Sequence, residues 1–131
     1  MKLNAPLVSD YDLQEERINY LSHGVGAVLA FIAGILLIIK GAYLSTGQWL
    51  GLWAYAISMV LLFSASMLYH MATVADRRYF YKKLDHTAIY YLIAGTYTPF
   101  LSIAIPTQKA QYLLIALWII ALIGTLFKLV F

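Results

Sequence analysis

Apolar residues in this chain fall into four long runs, at about 21–44, 49–71, 85–105 and 111–131, separated by short polar segments. Each run is close to the ~20 apolar residues that a helix needs to cross a hydrocarbon layer of ~30 Å. The pattern predicts an all-α fold, a multi-pass transmembrane helical bundle with four spans present. Ahead of the first run, residues 1–20 form a polar lead with Pro6 and paired acids, expected to become a short interfacial helix near Leu13. The chain therefore divides into an N-terminal segment, 1–20, and a transmembrane domain, 21–131.

The joints between runs carry their own signals. Ser45-Thr46-Gly47-Gln48 reads as a short link, and Trp49 and Trp53 as aromatic anchors where the second span enters the membrane. Residues 75–83 are the most charged part of the chain, with Arg77, Arg78, Lys82 and Lys83, and read as a connecting segment that sets topology and touches lipid headgroups. Pro106 to Lys109 reads as a tight turn. In the third run, Gly95 and Pro99 predict a bend that frees a backbone carbonyl. Small residues along the first run, among them Gly24, Gly26, Ala30 and Gly34, offer a close-packing face. The fourth run stops at Phe131 with no polar tail, which reads as a fragment of a longer protein.

Composition agrees with a membrane protein and narrows the chemistry. Hydrophobic residues make up 63% of the 131 and charged residues only 11%, against about a quarter charged in soluble domains. There is no cysteine, so disulfides, thiolate catalysis and cysteine-based zinc sites are excluded. The start of the chain lacks the basic-then-apolar order of a cleaved signal peptide, so the first span is expected to be retained. The nine Lys/Arg lie in the connecting segments and read as topology, not as a nucleic-acid surface. Lys2, Arg17, Arg77, Arg78, Lys82, Lys83 and Lys128 fall on one side, and only Lys40 and Lys109 on the other. The rule that positive loops stay inside then puts the N-terminus in the cytoplasm.

With alternating span directions, the start of span one, the end of span two and the start of span three share one membrane face. His23, His70, Asp85 and His86 lie at those positions, near the edge of the hydrocarbon layer. Ser66 and His70 are four apart and share a helix face; Glu16, Asn19 and His23 have i, i+3, i+7 spacing and share another. Tyr90, Tyr91 and Tyr97 fall along the third run, with packing or a substrate path as readings. By residue type, the set can support metal-assisted hydrolysis, with His70 as a zinc ligand, Asp85 as a water-orienting base and Ser66 as a hydrogen-bond donor. Structural readings stand beside this one. Asp85 can cap the start of its helix, Ser66 can bond the carbonyl four residues back, and the Glu16 stripe can be a solvated interfacial face.

Glu16-x-x-Asn19-x-x-x-His23-Gly24, Ser66-x-x-x-His70, Leu84-Asp85-His86-Thr87-Ala88-Ile89-Tyr90 and Ala94-Gly95-Thr96-Tyr97-Thr98-Pro99-Phe100, in this order, resemble the hemolysin III family. That family is the bacterial branch of the progestin and adipoQ receptor family, in a wider group that includes alkaline ceramidases. The resemblance implies a seven-span protein of the plasma (inner) membrane with a cytoplasmic N-terminus, of which four spans are present here, making 21–131 a partial hemolysin III-like domain. It also implies zinc near the cytoplasmic side, with His70 as ligand, Asp85 on the metal-bound water and Ser66 in the same site. The family's two further ligands come from a His-x-x-x-His in the last span, a motif this sequence does not contain, so the ligand set here is incomplete and this portion alone is expected to be inactive. A site completed by His23 and His86 has no support from the resemblance. The functions it implies are zinc-dependent hydrolysis of lipid-like amides, pore formation with lysis, or a receptor-like or membrane-homeostasis role without turnover. The partners it implies are membrane lipids and further copies of the chain.

Overall fold

The structure, a computed structural model, describes residues 10–131, with side chains from Leu13 onward. The expected polar lead with Pro6 lies outside the described residues. Four helices follow in chain order: α1 (Asp10–Lys40), α2 (Thr46–Met71), α3 (Ala75–Pro99) and α4 (Gln108–Val130). A π-helical turn, Phe100–Ala104, continues α3. The described residues contain no strand.

Three helix boundaries differ from those expected, each for a local reason. α1 is one continuous helix and not an interfacial segment followed by a span, because residues 13–21 contain neither glycine nor proline to interrupt it. It stops at Lys40, short of the expected end at Leu44. Gly41 N–H then donates to Leu37 O at 2.9 Å and Leu44 N–H to Gly41 O at 3.0 Å. A Cβ at Gly41 would meet the end of the Leu52 side chain, so glycine leaves room for Leu52 to pack against the turn.

The link at Ser45–Gln48 is the beginning of α2 itself. Ser45 Oγ accepts the Gln48 N–H, and Gln48 Oε1 accepts the Ser45 N–H, the reciprocal arrangement of a capping box.

The third boundary bears on the site. α3 begins at Ala75, so the charged segment is helix and not connection, and Asp85 and His86 lie inside α3 instead of opening it. Ala, Arg, Lys and Leu are good helix formers, and their charge alone does not break a helix. Val74 precedes the helix and makes no side-chain cap, so the capping role considered for Asp85 is ruled out.

The expected bend at Pro99 appears as the π-helical turn. Proline lacks the N–H that would bond Gly95 O, and Pro106 likewise lacks the one that would bond Ser102 O. Gln48 of α2 supplies a replacement: its Nε2 donates to Ser102 O at 3.1 Å.

Neighbouring helices pack in chain order, α1 on α2, α2 on α3 and α3 on α4, as an antiparallel row. The backbone of α1 approaches only that of α2. Small residues set the closeness. A Cβ at Gly24 would sit 3.1 Å from Met67 Sδ, one at Gly26 2.7 Å from the Phe63 ring, and one at Gly34 3.0 Å from Ala56 Cβ. Gly95 of α3 lies against Ser58 of α2, and Gly51 against Thr98.

Three helices are long and apolar enough to cross a membrane, over Leu13–Lys40, Thr46–Met71 and Gln108–Val130. Only 11% of the first and 6% of the last apolar window is buried, so their side chains face outward, as lipid-solvated helices require. By this measure α3 does not join them, since Asp76, Arg77, Arg78, Lys82, Lys83 and Asp85 occupy its first half.

Candidate functional site

Antiparallel packing of α1 on α2 brings two polar stripes face to face at one end of the row. The glycine next to His23 allows this, because Gly24 and Gly26 let α2 approach at Met67 and Phe63. Glu16 and His23, two turns apart on α1, then meet His70 and Ser66, one turn apart on α2.

The contacts are specific. His70 Nδ1 lies 2.6 Å from Glu16 Oε2, and since a carboxylate only accepts, the ring donates. His23 Nδ1 and Ser66 Oγ are 2.5 Å apart, with the donor set by the His23 tautomer. The two imidazoles meet edge to face with centroids 5.5 Å apart. Ser66 is buried, and its hydroxyl goes to His23, unlike Thr87, Thr96, Thr98 and Ser102, which each bond the carbonyl four residues back. The back-bonding reading of Ser66 is thereby ruled out.

A third helix joins through Arg78. Its Nη2 donates to Glu16 Oε1 at 2.5 Å and its Nη1 to Ala72 O at 3.4 Å, just past the end of α2. The guanidinium lies over the Tyr69 ring, 4.6 Å from its centroid, and Tyr69 packs on His70. Partial burial works against the Arg78 charge, but the hydrogen bond and ion pair with Glu16 outweigh it and hold the group above its ordinary value. Side chains of Glu16, His70 and Arg78 are about one-fifth exposed, so the network is largely shielded by the helices that form it.

The other expected residues are placed differently. Asn19 is half-buried, and its backbone carbonyl accepts from Ser22. Asp85 and His86 are half-buried on α3 and make no side-chain hydrogen bond or ion pair among the described residues. The contacts of Gly95 with Ser58 and Gly51 with Thr98 set the register of α3 on α2. Carried toward Ala75, that register brings Asp85 to the level of Ser66. The shared depth of His23, Ser66 and Asp85 therefore emerges from packing, although Asp85 sits well inside its helix.

Arg78 and Tyr69 were not singled out from the sequence as part of a site. Arg78 is one of four basic residues within a few positions, and nothing in their spacing marks the one that reaches α1.

As a metal-binding set these residues fit in part. A zinc-ligating histidine commonly donates its other ring N–H to a carboxylate, which fixes the tautomer and the ring. Glu16 holds His70 in that way, leaving the Nε2 lone pair free to ligate. Zinc takes about three protein ligands at a catalytic site. Among the described residues no three His, Asp or Glu side chains group to hold a metal, so the three-histidine set of His23, His70 and His86 is not formed.

The family described as haemolysin-III related matches residues 11–131. The chain is 38% identical over 122 residues to the Hemolysin-3 homolog of Bacillus subtilis (strain 168), covering 92% of this chain and 57% of that protein. It is 39% identical over 120 residues to Hemolysin-3 of Bacillus cereus, covering 91% and 55%. It thus spans about half the length of the curated relatives it matches. No solved structure matches. The chain belongs to the haemolysin-III related family.

Proposed function

We propose that the intact protein is a zinc-dependent hydrolase of lipid-like amides, with its site at the membrane face formed by the start of α1 and the end of α2. The observation that carries this reading is the Glu16–His70 pair, a half-buried imidazole with its Nδ1–H held by a carboxylate and its Nε2 free. In this reading the remaining ligands come from outside this chain, which spans about half the length of the relatives it matches. When bound, zinc supplies a Lewis acid and a water of lowered pKa.

The chain's own residues have separate roles in this reading. Glu16 orients His70, and Arg78 holds Glu16 in place. Ser66, paired with His23, presents a hydroxyl to the substrate. Asp85, at the same level and without a partner among the described residues, has a carboxylate available to orient a water. Membrane lipids deliver the substrate laterally. The charged ends of α1 and α3 and Lys128 of α4 fall on one side, which supports a cytoplasmic N-terminus, in this reading at the plasma membrane.

Metal analysis of the purified intact protein tests the proposal. About one zinc per chain is expected, lost in His70→Ala. Loss of an outer partner typically weakens metal affinity 10–100-fold, the effect expected of Glu16→Gln. Absence of stoichiometric zinc from the unmodified protein, or undiminished zinc in His70→Ala, overturns it.

A further inference from the structure

A second polar region at the same end of the row is independent of the histidine cluster. Lys82 and Lys83 of α3, Lys128 of α4, Tyr79 and Phe131 line a hollow of about 150 Å³. It adjoins another of about 270 Å³, with which it shares Tyr79 and Lys82 and which reaches Tyr69 and Arg78. Arg78 is neutralised by Glu16, whereas no carboxylate among the described residues pairs with Lys82, Lys83 or Lys128. Three ammonium groups therefore converge on one hollow with no acidic side chain paired to them among the described residues.

Two of its walls are held in place. Lys83 Nζ donates to Leu129 O at 3.2 Å and lies 4.9 Å from the centroid of the Tyr79 ring. The first contact locks the first half of α3 to the last turn of α4, so the hollow sits at the depth where the charged first half of α3 gives way to its apolar second half. That is the headgroup level of a bilayer. Its composition also suits an amphiphile, with cationic groups for a phosphate and the Phe131 and Tyr79 rings for the adjoining glycerol and first methylenes. A soluble anion would have no use for the aromatic walls, and basic pockets between spanning helices are a known way to hold anionic headgroups.

We infer that the hollow between α3 and α4 binds the headgroup of an anionic phospholipid, with Lys82 and Lys128 contacting the phosphate and Lys83 bracing the wall. The site is distinct from the one proposed around His70 and does not depend on zinc.

Fluorescent phosphatidylglycerol and phosphatidylcholine, titrated separately into the delipidated protein in neutral detergent, test it. Phosphatidylglycerol should bind at least tenfold more tightly. At roughly fivefold per lysine, Lys82→Gln with Lys128→Gln should weaken it about 25-fold. Lys40→Gln with Lys109→Gln, at the opposite end, should leave it unchanged. Equal binding of the two lipids by the unmodified protein overturns the inference whether or not the variants fold. So does an equal loss in the Lys40/Lys109 variant, which would mean diffuse attraction, or full displacement of the lipid by millimolar inorganic phosphate, which would mean a free-anion site. Where the neutral variant misfolds, Lys82→Arg with Lys128→Arg serves in its place, and loss of binding in that folded, charge-preserving variant counts against a phosphate contact.

Discussion

Glu16 accepts a hydrogen bond from His70 Nδ1 at 2.6 Å, which ties the start of α1 to the last turn of α2. Its other oxygen receives Arg78, so a single carboxylate joins three helices. This matters most for α1, whose backbone approaches only α2; the link to α3 is made by long side chains.

Replacing Glu16 by Gln keeps its size but weakens both bonds. Hydrogen bonds to charged groups contribute ~1.5–3 kcal/mol each, and with partial exposure we expect a net loss of about 2 kcal/mol. Arg78→Gln should cost a similar amount, and the double variant little more than either alone, since both single changes break the same link. Thermal unfolding of the four proteins in detergent measures this. Strictly additive losses would show that Glu16 and Arg78 act independently.

Much of this network was legible in the sequence, though not its pairing. The spacing of Glu16 with His23 and of Ser66 with His70 marked two stripes at a common depth. Which stripe faces which depends on helix rotation about the contacts at Gly24 and Gly26, and periodicity does not fix that angle. The misplaced start of α3 has a different cause. Hydropathy marks where residues become apolar, whereas Ala75–Leu84 is helical although polar, so the change in hydropathy at Asp85 lies ten residues inside the helix. The Ser45–Gln48 capping box was in plain view as Ser-x-x-Gln but was absorbed into the link because glycine sits inside it.

Gln48 provides a test of that box. Its Oε1 serves the α2 cap and its Nε2 bonds Ser102 O, which Pro106 leaves without a helical donor. Gln48→Glu preserves the cap but has no N–H to give, whereas Gln48→Ala loses both. We expect losses of ~1 kcal/mol and ~2 kcal/mol respectively, from the usual size of a cap and of a single hydrogen bond. An unshifted Tm in Gln48→Glu would mean that the bond to Ser102 contributes nothing, and equal shifts in the two variants would mean the same of the cap contact.

Close packing of α2 on α3 depends on Gly95. A Cβ there would overlap Ser58 Oγ and lie 3.0 Å from Ser58 Cβ and 3.1 Å from Ala54 O. Gly95→Ala should therefore destabilise the protein by ~1–3 kcal/mol, the range for overpacking, despite the better helix propensity of alanine. Adding Ser58→Gly removes both Ser58 contacts and should restore part of the loss, while the Ala54 carbonyl keeps the rest. A single variant as stable as the parent would show that the two helices can separate without cost.

The hydroxyl of Ser66 offers a readout of the cluster that does not rely on turnover. It lies 2.5 Å from His23 Nδ1, with Ser66 buried and His23 half-buried. Ser66→Ala leaves the nitrogen without its partner and should cost ~1 kcal/mol, the usual net size of one hydrogen bond, since His23 is half-buried. Ser66→Thr keeps the hydroxyl and should cost less. In ¹⁵N spectra of the imidazoles, Ser66→Ala should shift the His23 Nδ1 resonance while leaving that of His70 close to its parent position, because Glu16 and not Ser66 holds His70. If both histidines shift together, the edge-to-face contact between their rings, at 5.5 Å, transmits the change and the two pairs form one unit.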